Sequence, residues 1–326
     1  MTEPIANVND TNSDLAPAVA DTPSQKVERK PEKARSLAQD AWDDLRRRPS
    51  FWISSLLILV IVIMAIFPQL FTIFSPNQDP YYADLAKARQ APSAEAWFGY
   101  DSQGYDVYSR TIYGARASVL VGLLTTVGVM IIGSLIGLIS GFFGGWIDAI
   151  LSRIGEIFWV IPLLLGGVLF LYTFPSTLET PYMVVVLKVV IVLSILGWPR
   201  IARIMRSAVL QVKPLEYVQA ARALGASPSE IIFRHVLPNA FTPVIVVATI
   251  DLGAYIATEA TLSFLGIGLQ PPTISWGVAI SEASNLGLLQ NAPHMLLFPS
   301  AFLCVTVLSF IMLGDAVRDA FDPKSN

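Results

Sequence analysis

Cysteine, histidine and charge are all scarce in this 326-residue chain. Cys304 is the only cysteine, which excludes an internal disulfide and a multi-thiolate metal site. Within Phe302-Leu303-Cys304-Val305 it reads as a small apolar filler. No Gly-x-x-x-x-Gly-Lys-Ser/Thr phosphate loop is present, so the chain has no Walker-type means of holding ATP. His-Glu-x-x-His and paired-aspartate motifs are also missing, and the two histidines, His235 and His294, are expected at opposite ends of the molecule, which argues against an enzyme. Only 14% of residues are charged against 53% apolar, and the mean hydropathy is +0.56, too little polar surface to coat a soluble domain of this length. A net charge of -3 and a pI near 5.5 give no sign of nucleic acid as a partner.

Long uncharged stretches take the place of the missing charge. An ionised side chain at mid-bilayer costs at least ~2.5 kcal/mol, and ~20 helical residues cover a ~30 Å hydrocarbon core. Charge gaps therefore mark crossings, and six are expected: 51–67, 117–147, 157–174, 182–198 (interrupted by Lys188), 241–262 (interrupted by Asp251 and Glu259) and 295–314. Six crossings put both ends on one side. Arg and Lys choose it: eight lie in the N-terminal tail, with Arg153, six from Arg200 to Arg234, Arg318 and Lys324 on the same side, against Lys87, Arg89, Arg110 and Arg116 on the other. By the positive-inside rule both termini are cytoplasmic. The first apolar stretch begins at residue 51, so no cleavable signal is expected. The fold class is an all-α polytopic membrane protein.

The expected organisation is a disordered tail over 1–35, an interfacial amphipathic helix over 36–49, a first transmembrane helix over 50–74, an external loop over 75–116, a transmembrane core over 117–314 with a cytoplasmic loop over 199–239, and a C-terminal tail over 315–326. The interfacial helix rests on a capping-box spacing of Ser36 with Gln39 and on Leu37, Ala41, Trp42 and Leu45 sharing a face. A solvated basic linker is the other reading. Gly133, Gly137 and Gly141 recur every four residues, either as a stripe where a neighbouring backbone comes close or as a merely flexible helix.

The loop between the fourth and fifth crossings carries its own helix signals. Pro214 suits a first turn and Gly225 a left-handed stop, giving a helix over 214–224. Ser227-Pro228-Ser229-Glu230 then repeats the start signal, and Leu237-Pro238 leads into the fifth crossing. Gln219-Ala220-Ala221-Arg222-Ala223-Leu224-Gly225, followed by Leu237-Pro238, resembles the "EAA" loop of ABC importer permeases, with Gln219 for the usual glutamate and His235 for isoleucine.

Three further segments resemble the peptide and nickel branch of that family. They are Phe98-Gly99-Tyr100-Asp101 through Arg116, with Tyr100 and Tyr105 in place of Thr and Arg; Glu259-Ala260-Thr261-Leu262-Ser263-Phe264-Leu265-Gly266 with Gln270-Pro271-Pro272 and Ser275-Trp276-Gly277; and Leu313-Gly314-Asp315 with Arg318-Asp319-Ala320. The resemblance spans about residues 97–324. It implies the second, "C", permease of a type I importer in a prokaryotic plasma membrane. The implied partners are ATPase subunits that use the ATP, a second homologous permease (a homodimer being the other arrangement) and an extracytoplasmic solute-binding protein. The chain itself would bind no cofactor or metal.

The resemblance also implies that Glu216, Gln219, Ala220, Ala221, Gly225, Leu237 and Pro238 couple to the ATPase. Intramembrane charges are pathway candidates by default. Asp251 and Glu259, eight residues apart and so ~80° around a helix, either line a polar route or only bond to neighbouring helices. Lys188 either snorkels outward or serves a pore. The cargo class implied is peptides, with nickel complexes and other small solutes as alternatives.

Overall fold

The computed structural model describes residues 42–321, all within one compact unit, Leu37–Asn326. The expected disordered tail over 1–35 and the Ser36–Gln39 capping box lie outside the described residues. Of the expected interfacial helix, residues 42–45 are described and helical, with Leu45 buried and Trp42 set edge-on to Phe51 at 5.9 Å.

Among the described residues the principal helices are α1 (Pro49–Ile66), α2 (Val107–Phe143), α3 (Gly145–Val160), α4 (Leu163–Thr173), α5 (Tyr182–Val212), α6 (Glu216–Ala223), α7 (Thr242–Phe264), α8 (Trp276–Glu282) and α9 (His294–Ala320). Five of them, α1, α2, α5, α7 and α9, are each long and apolar enough to cross a membrane. The sixth candidate is the pair α3 and α4, bent by 81°.

Helix starts follow local chemistry. Pro49 opens α1, where its missing N–H costs nothing. Asp106 caps α2 by accepting the Ser109 N–H at 2.7 Å, so this helix begins ten residues before the uncharged run that marks it in the sequence. At 37 residues it is about 55 Å long, well beyond the hydrocarbon thickness. The third crossing is not the straight segment 157–174. Ile161 is held extended (ψ 117°) ahead of Pro162, whose ring disfavours a helical residue before it, and the chain breaks there into α3 and α4.

The glycine stripe explains why that bent pair must cross. Gly133, Gly137 and Gly141 face α5: a Cβ on Gly133 would lie 2.8 Å from Trp198 O, one on Gly137 2.3 Å from Ala202 O, and one on Gly141 3.0 Å from Arg206 O. Contacts advance together along both helices, so α2 and α5 run parallel. Lys213 Nζ donating to Phe142 O at 2.6 Å puts their C-terminal ends at one level, and Ala117 and Val121 pack with Val185 and Val186 at the other. The chain between Phe143 and Tyr182 therefore returns across the bundle, through α3 and α4. At the far ends of the described chain, Arg48 pairs with Asp319 at 3.0 Å, placing the start of α1 and the end of α9 on one face. An even number of crossings follows, which six satisfies.

The fourth crossing also outlasts its uncharged run. Helix α5 continues through Pro199 to Val212, so Arg200, Arg203 and Arg206 stand on the crossing helix and the connecting loop begins at Lys213 rather than at residue 199. Helix α7 runs antiparallel to α9: a Cβ on Gly253 would lie 3.0 Å from Val307 O, and one on Gly314 3.0 Å from Ile250 N.

Close backbone approach at Gly137 makes a specific demand. Gly137→Ala, which puts a methyl against Ala202 O, should lower the thermal midpoint of the purified protein through a loss of about 1–3 kcal/mol. Gly155→Ala, whose Cβ would meet only the Trp198 ring at an ordinary 3.4 Å, should leave it nearly unchanged. Equal midpoints for the two variants would contradict this packing.

Candidate functional site

The loop that follows α5 folds into a short rod. Helix α6 starts at Glu216 after an extended Leu215 (ψ 147°), so Pro214 precedes the helix instead of forming its first turn. At its end Gly225 takes φ +83°, Gly225 N–H donates to Arg222 O and Ala226 N–H to Ala221 O, each at 3.1 Å. That paired arrangement closes the last turn and needs a left-handed residue, which glycine supplies. Ser227 Oγ then accepts the Glu230 N–H at 3.3 Å and opens a second helical stretch, Pro228–Glu230.

A π-helical segment, Ile231–Val236, links that stretch to Leu237–Ala240, with Pro238 in its first turn, and Thr242 starts α7 directly after it. Proline brings no N–H. Asn239 Nδ2 donates to His235 O at 2.7 Å.

One face of this rod belongs to the core. Val218, Ile231, Val236 and Ala240 are buried with Phe142, Met205, Val209 and Val212 from α2 and α5. Gln219 Nε2 donates to Lys213 O at 2.9 Å, and Lys213 in turn holds Phe142 O. The opposite face is open. Gln219, Ala220 and Pro238 are exposed, Ala221 and Leu237 are half-buried, and Leu224 is 89% and Phe233 68% exposed. The rod is thus fixed to three crossings, while its open side mixes the exposed apolar Leu224 and Phe233 with charged and polar side chains.

The two intramembrane carboxylates are not brought together. Glu259 is fully buried, takes a hydrogen bond from Ser263 Oγ at 2.7 Å, and sits where α8 presses on α7, with the Cβ position of Gly277 only 2.7 Å from Ala260 Cα. Asp251 lines a cavity of about 290 Å³ with Arg200, Trp159, Tyr255 and Thr258, and its Oδ1 accepts Arg200 Nη1 at 2.5 Å. Lys188 Nζ reaches Pro175 O at 3.0 Å and Phe174 O at 3.3 Å, in the connection between α4 and α5, so it points toward the end of its span.

Arg200 escapes sequence reasoning because it follows Pro199 and counts as loop. The spacing of Arg200, Arg203 and Arg206 by threes was the available signal that the helix continues. Asp148 was missed for the same reason: it takes both Arg206 nitrogens at 2.6 Å, together with the Ser140 and Ser152 hydroxyls, tying α2, α3 and α5 together.

At the other end of the bundle, the segment from Phe98 to Arg116 forms a clamp. Arg110 Nη1 binds Asp101 at 2.8 Å and Glu282 of α8 at 3.2 Å, and its guanidinium lies 4.7 Å from the Tyr105 ring centroid. Phe98 stacks on Phe298 of α9 at 3.8 Å, and His294 Nε2 lies 3.1 Å from Tyr100 O. Tyr105, a departure from the branch pattern, is thus a partner of Arg110.

Five long apolar helices with a bent sixth candidate, a close parallel helix pair and a capped rod describe a polytopic membrane protein. The family model described as "Binding-protein-dependent transport system inner membrane component" matches residues 133–326, and that described as "N-terminal TM domain of oligopeptide transport permease C" matches residues 36–92. The chain belongs to this binding-protein-dependent permease family, in its peptide-type branch of ABC importers.

It is 39% identical to the oligopeptide transport system permease protein OppC of Bacillus subtilis (strain 168), over 90% of this chain and 91% of that one. It is 36% identical to the dipeptide transport system permease protein DppC of Alkalihalophilus pseudofirmus, over 88% and 90%, and 34% identical to the glutathione transport system permease protein GsiD of Pectobacterium atrosepticum, over 88% and 91%. A solved inward-facing structure of the MetNI methionine ABC transporter has a TM-score of 0.51 at 22% identity, covering 65% of this chain and 96% of that one, which shows the shared type I fold.

Burial raises the Glu282 carboxyl above the usual glutamate range, and Arg110 opposes that rise. Arg110→Ala should therefore destabilise the clamp and raise the Glu282 pKa further. A carboxyl raised on folding adds stability below its unfolded pKa and loses it as pH climbs through its folded value. The midpoint deficit of the variant should accordingly be larger at pH 8 than at pH 5. A deficit independent of pH would show that Arg110 does not hold that carboxylate.

Proposed function

We propose that this chain is a pore-forming subunit of a peptide importer in the plasma membrane of a prokaryote, with both termini and the rod between α5 and α7 in the cytoplasm. A second homologous permease completes the pathway, a solute-binding protein delivers di- or oligopeptides from outside, and separate ATPase subunits use the ATP. The chain itself carries no cofactor and no catalysis. The peptide cargo is supported by the relatives, named as permeases for oligopeptides, dipeptides and glutathione.

The observation that carries the coupling role is the rod's two-faced build. Glu216, Gln219, Ala220 and Ala221 lie on a helix whose end is fixed by Gly225, and Leu237 and Pro238 join the second stretch to α7. Nucleotide-driven movement of an ATPase against the exposed Leu224 side reaches α7 without slack, because Val218, Ile231 and Val236 pack on the crossing helices. A coupling of this kind needs two states that both ends distinguish, and inward-open and outward-open pores are that pair.

Purification of the tagged chain from its native membrane should bring down an ATPase. Gly225→Pro cannot adopt φ +83°, and Ala221→Asp puts a charge on a half-buried alanine beside that stop. Both variants should insert normally and lose ATP-driven uptake of labelled peptide by at least about tenfold, ~1.4 kcal/mol of coupling. Normal uptake in both variants would overturn the coupling role, and uptake of nickel or another solute in place of peptide would revise the cargo.

A further inference from the structure

The cavity beside α7 holds an ion pair that is only half made. Arg200 gives one of the five N–H donors of a guanidinium to Asp251 Oδ1. Among the described residues Asp251 Oδ2 is buried with no hydrogen-bond partner, its side chain only 5% exposed, while Arg200 is 52% exposed. The same chain shows what a closed pair looks like: Arg206 binds both oxygens of Asp148 through Nε and Nη2, and two hydroxyls complete that carboxylate. Arg200 instead leaves its fork open toward the cavity.

Depth makes this opening informative. Asp251 lies nine residues into α7 from Thr242, about 13 Å along the axis. A half-exposed guanidinium at such a depth would be costly against lipid tails, and Arg200 lines the cavity together with Asp251. The cavity walls include Phe158, Trp159, Tyr255 and Leu163, aromatic or apolar side chains whose low dielectric strengthens a charge contact.

We propose that this cavity is a contact site for the transported solute and that Arg200 receives a free carboxylate there, held in place by Asp251. A planar guanidinium presents paired N–H groups that match a carboxylate edge, and Asp251 uses only one of them. The terminal carboxylate is the one group every unmodified peptide shares, so this contact suits a carrier of many sequences. The inference rests on the peptide-importer reading above.

The test uses the whole transporter in proteoliposomes, with labelled Ala-Ala-Ala as the free acid and as its C-terminal amide. The solute-binding protein is the same throughout, so its own preference cancels when each variant is compared with wild type. Arg200→Gln should raise the amide-to-acid uptake ratio by roughly tenfold, the selectivity that one charged hydrogen bond commands. Arg200→Lys, which keeps the charge but not the fork, should raise it by less, and decides the matter if the Gln variant does not assemble. An unchanged ratio in an assembled variant, or equal loss of acid and amide uptake, overturns the contact. If wild type imports neither probe, the peptide reading falls, and this contact with it.

Discussion

Along α2, Gly133, Gly137 and Gly141 bring its backbone so near α5 that carbonyl oxygens of Trp198, Ala202 and Arg206 occupy the space where side chains would stand. In a bilayer no hydrophobic force drives helices together, so such close approach and the dispersion it allows are what hold a crossing pair. Because the two helices are parallel, α3 and α4 must carry the chain back between them. Because their ends are level, Lys213 reaches Phe142 and the rod has a floor to pack on. The topology, the bent crossing and the placement of the rod all descend from one line of missing side chains.

Charge is used sparingly, and three ion pairs mark joints between elements. Asp148 and Arg206 close a pair that locks α3 onto α5. Arg110 gathers Asp101 and Glu282 and so fastens the segment before α2 to α8. Arg48 and Asp319 bring together the first and last crossings. Joining elements far apart in the chain, these groups act as fasteners. Arg200 and Asp251, satisfied on one side only, remain available.

Much of this was legible in the sequence because membranes impose simple rules. Charge gaps marked the five long apolar helices and the region of the bent pair, glycine periodicity marked the α2 face that meets α5, and Gly225 and Ser227 marked the end of one rod segment and the start of the next. Where the reading drifted, a proline was misjudged. Pro199 looked like the end of the fourth crossing, yet α5 runs through it. Pro162 sat inside an apolar run that looked continuous, yet the chain breaks there. Pro214 looked like the first turn of α6, yet Leu215 intervenes. A proline's local preference is fixed, but whether a helix tolerates it depends on neighbours that re-satisfy the freed carbonyl, and those are tertiary. The separation of Glu259 from Asp251 was hidden for a similar reason: the 80° between them is read easily, but the packing of α8 over one and not the other is not.

Three attachments of the rod end on main-chain oxygens: Lys213 on Phe142 O, Gln219 on Lys213 O and Asn239 on His235 O. Every amino acid offers the same carbonyl, so the receiving positions are free to drift without cutting the link. Comparative searches for co-varying residue pairs would therefore pass over these ties, because only the donor side chain of each is specified by sequence.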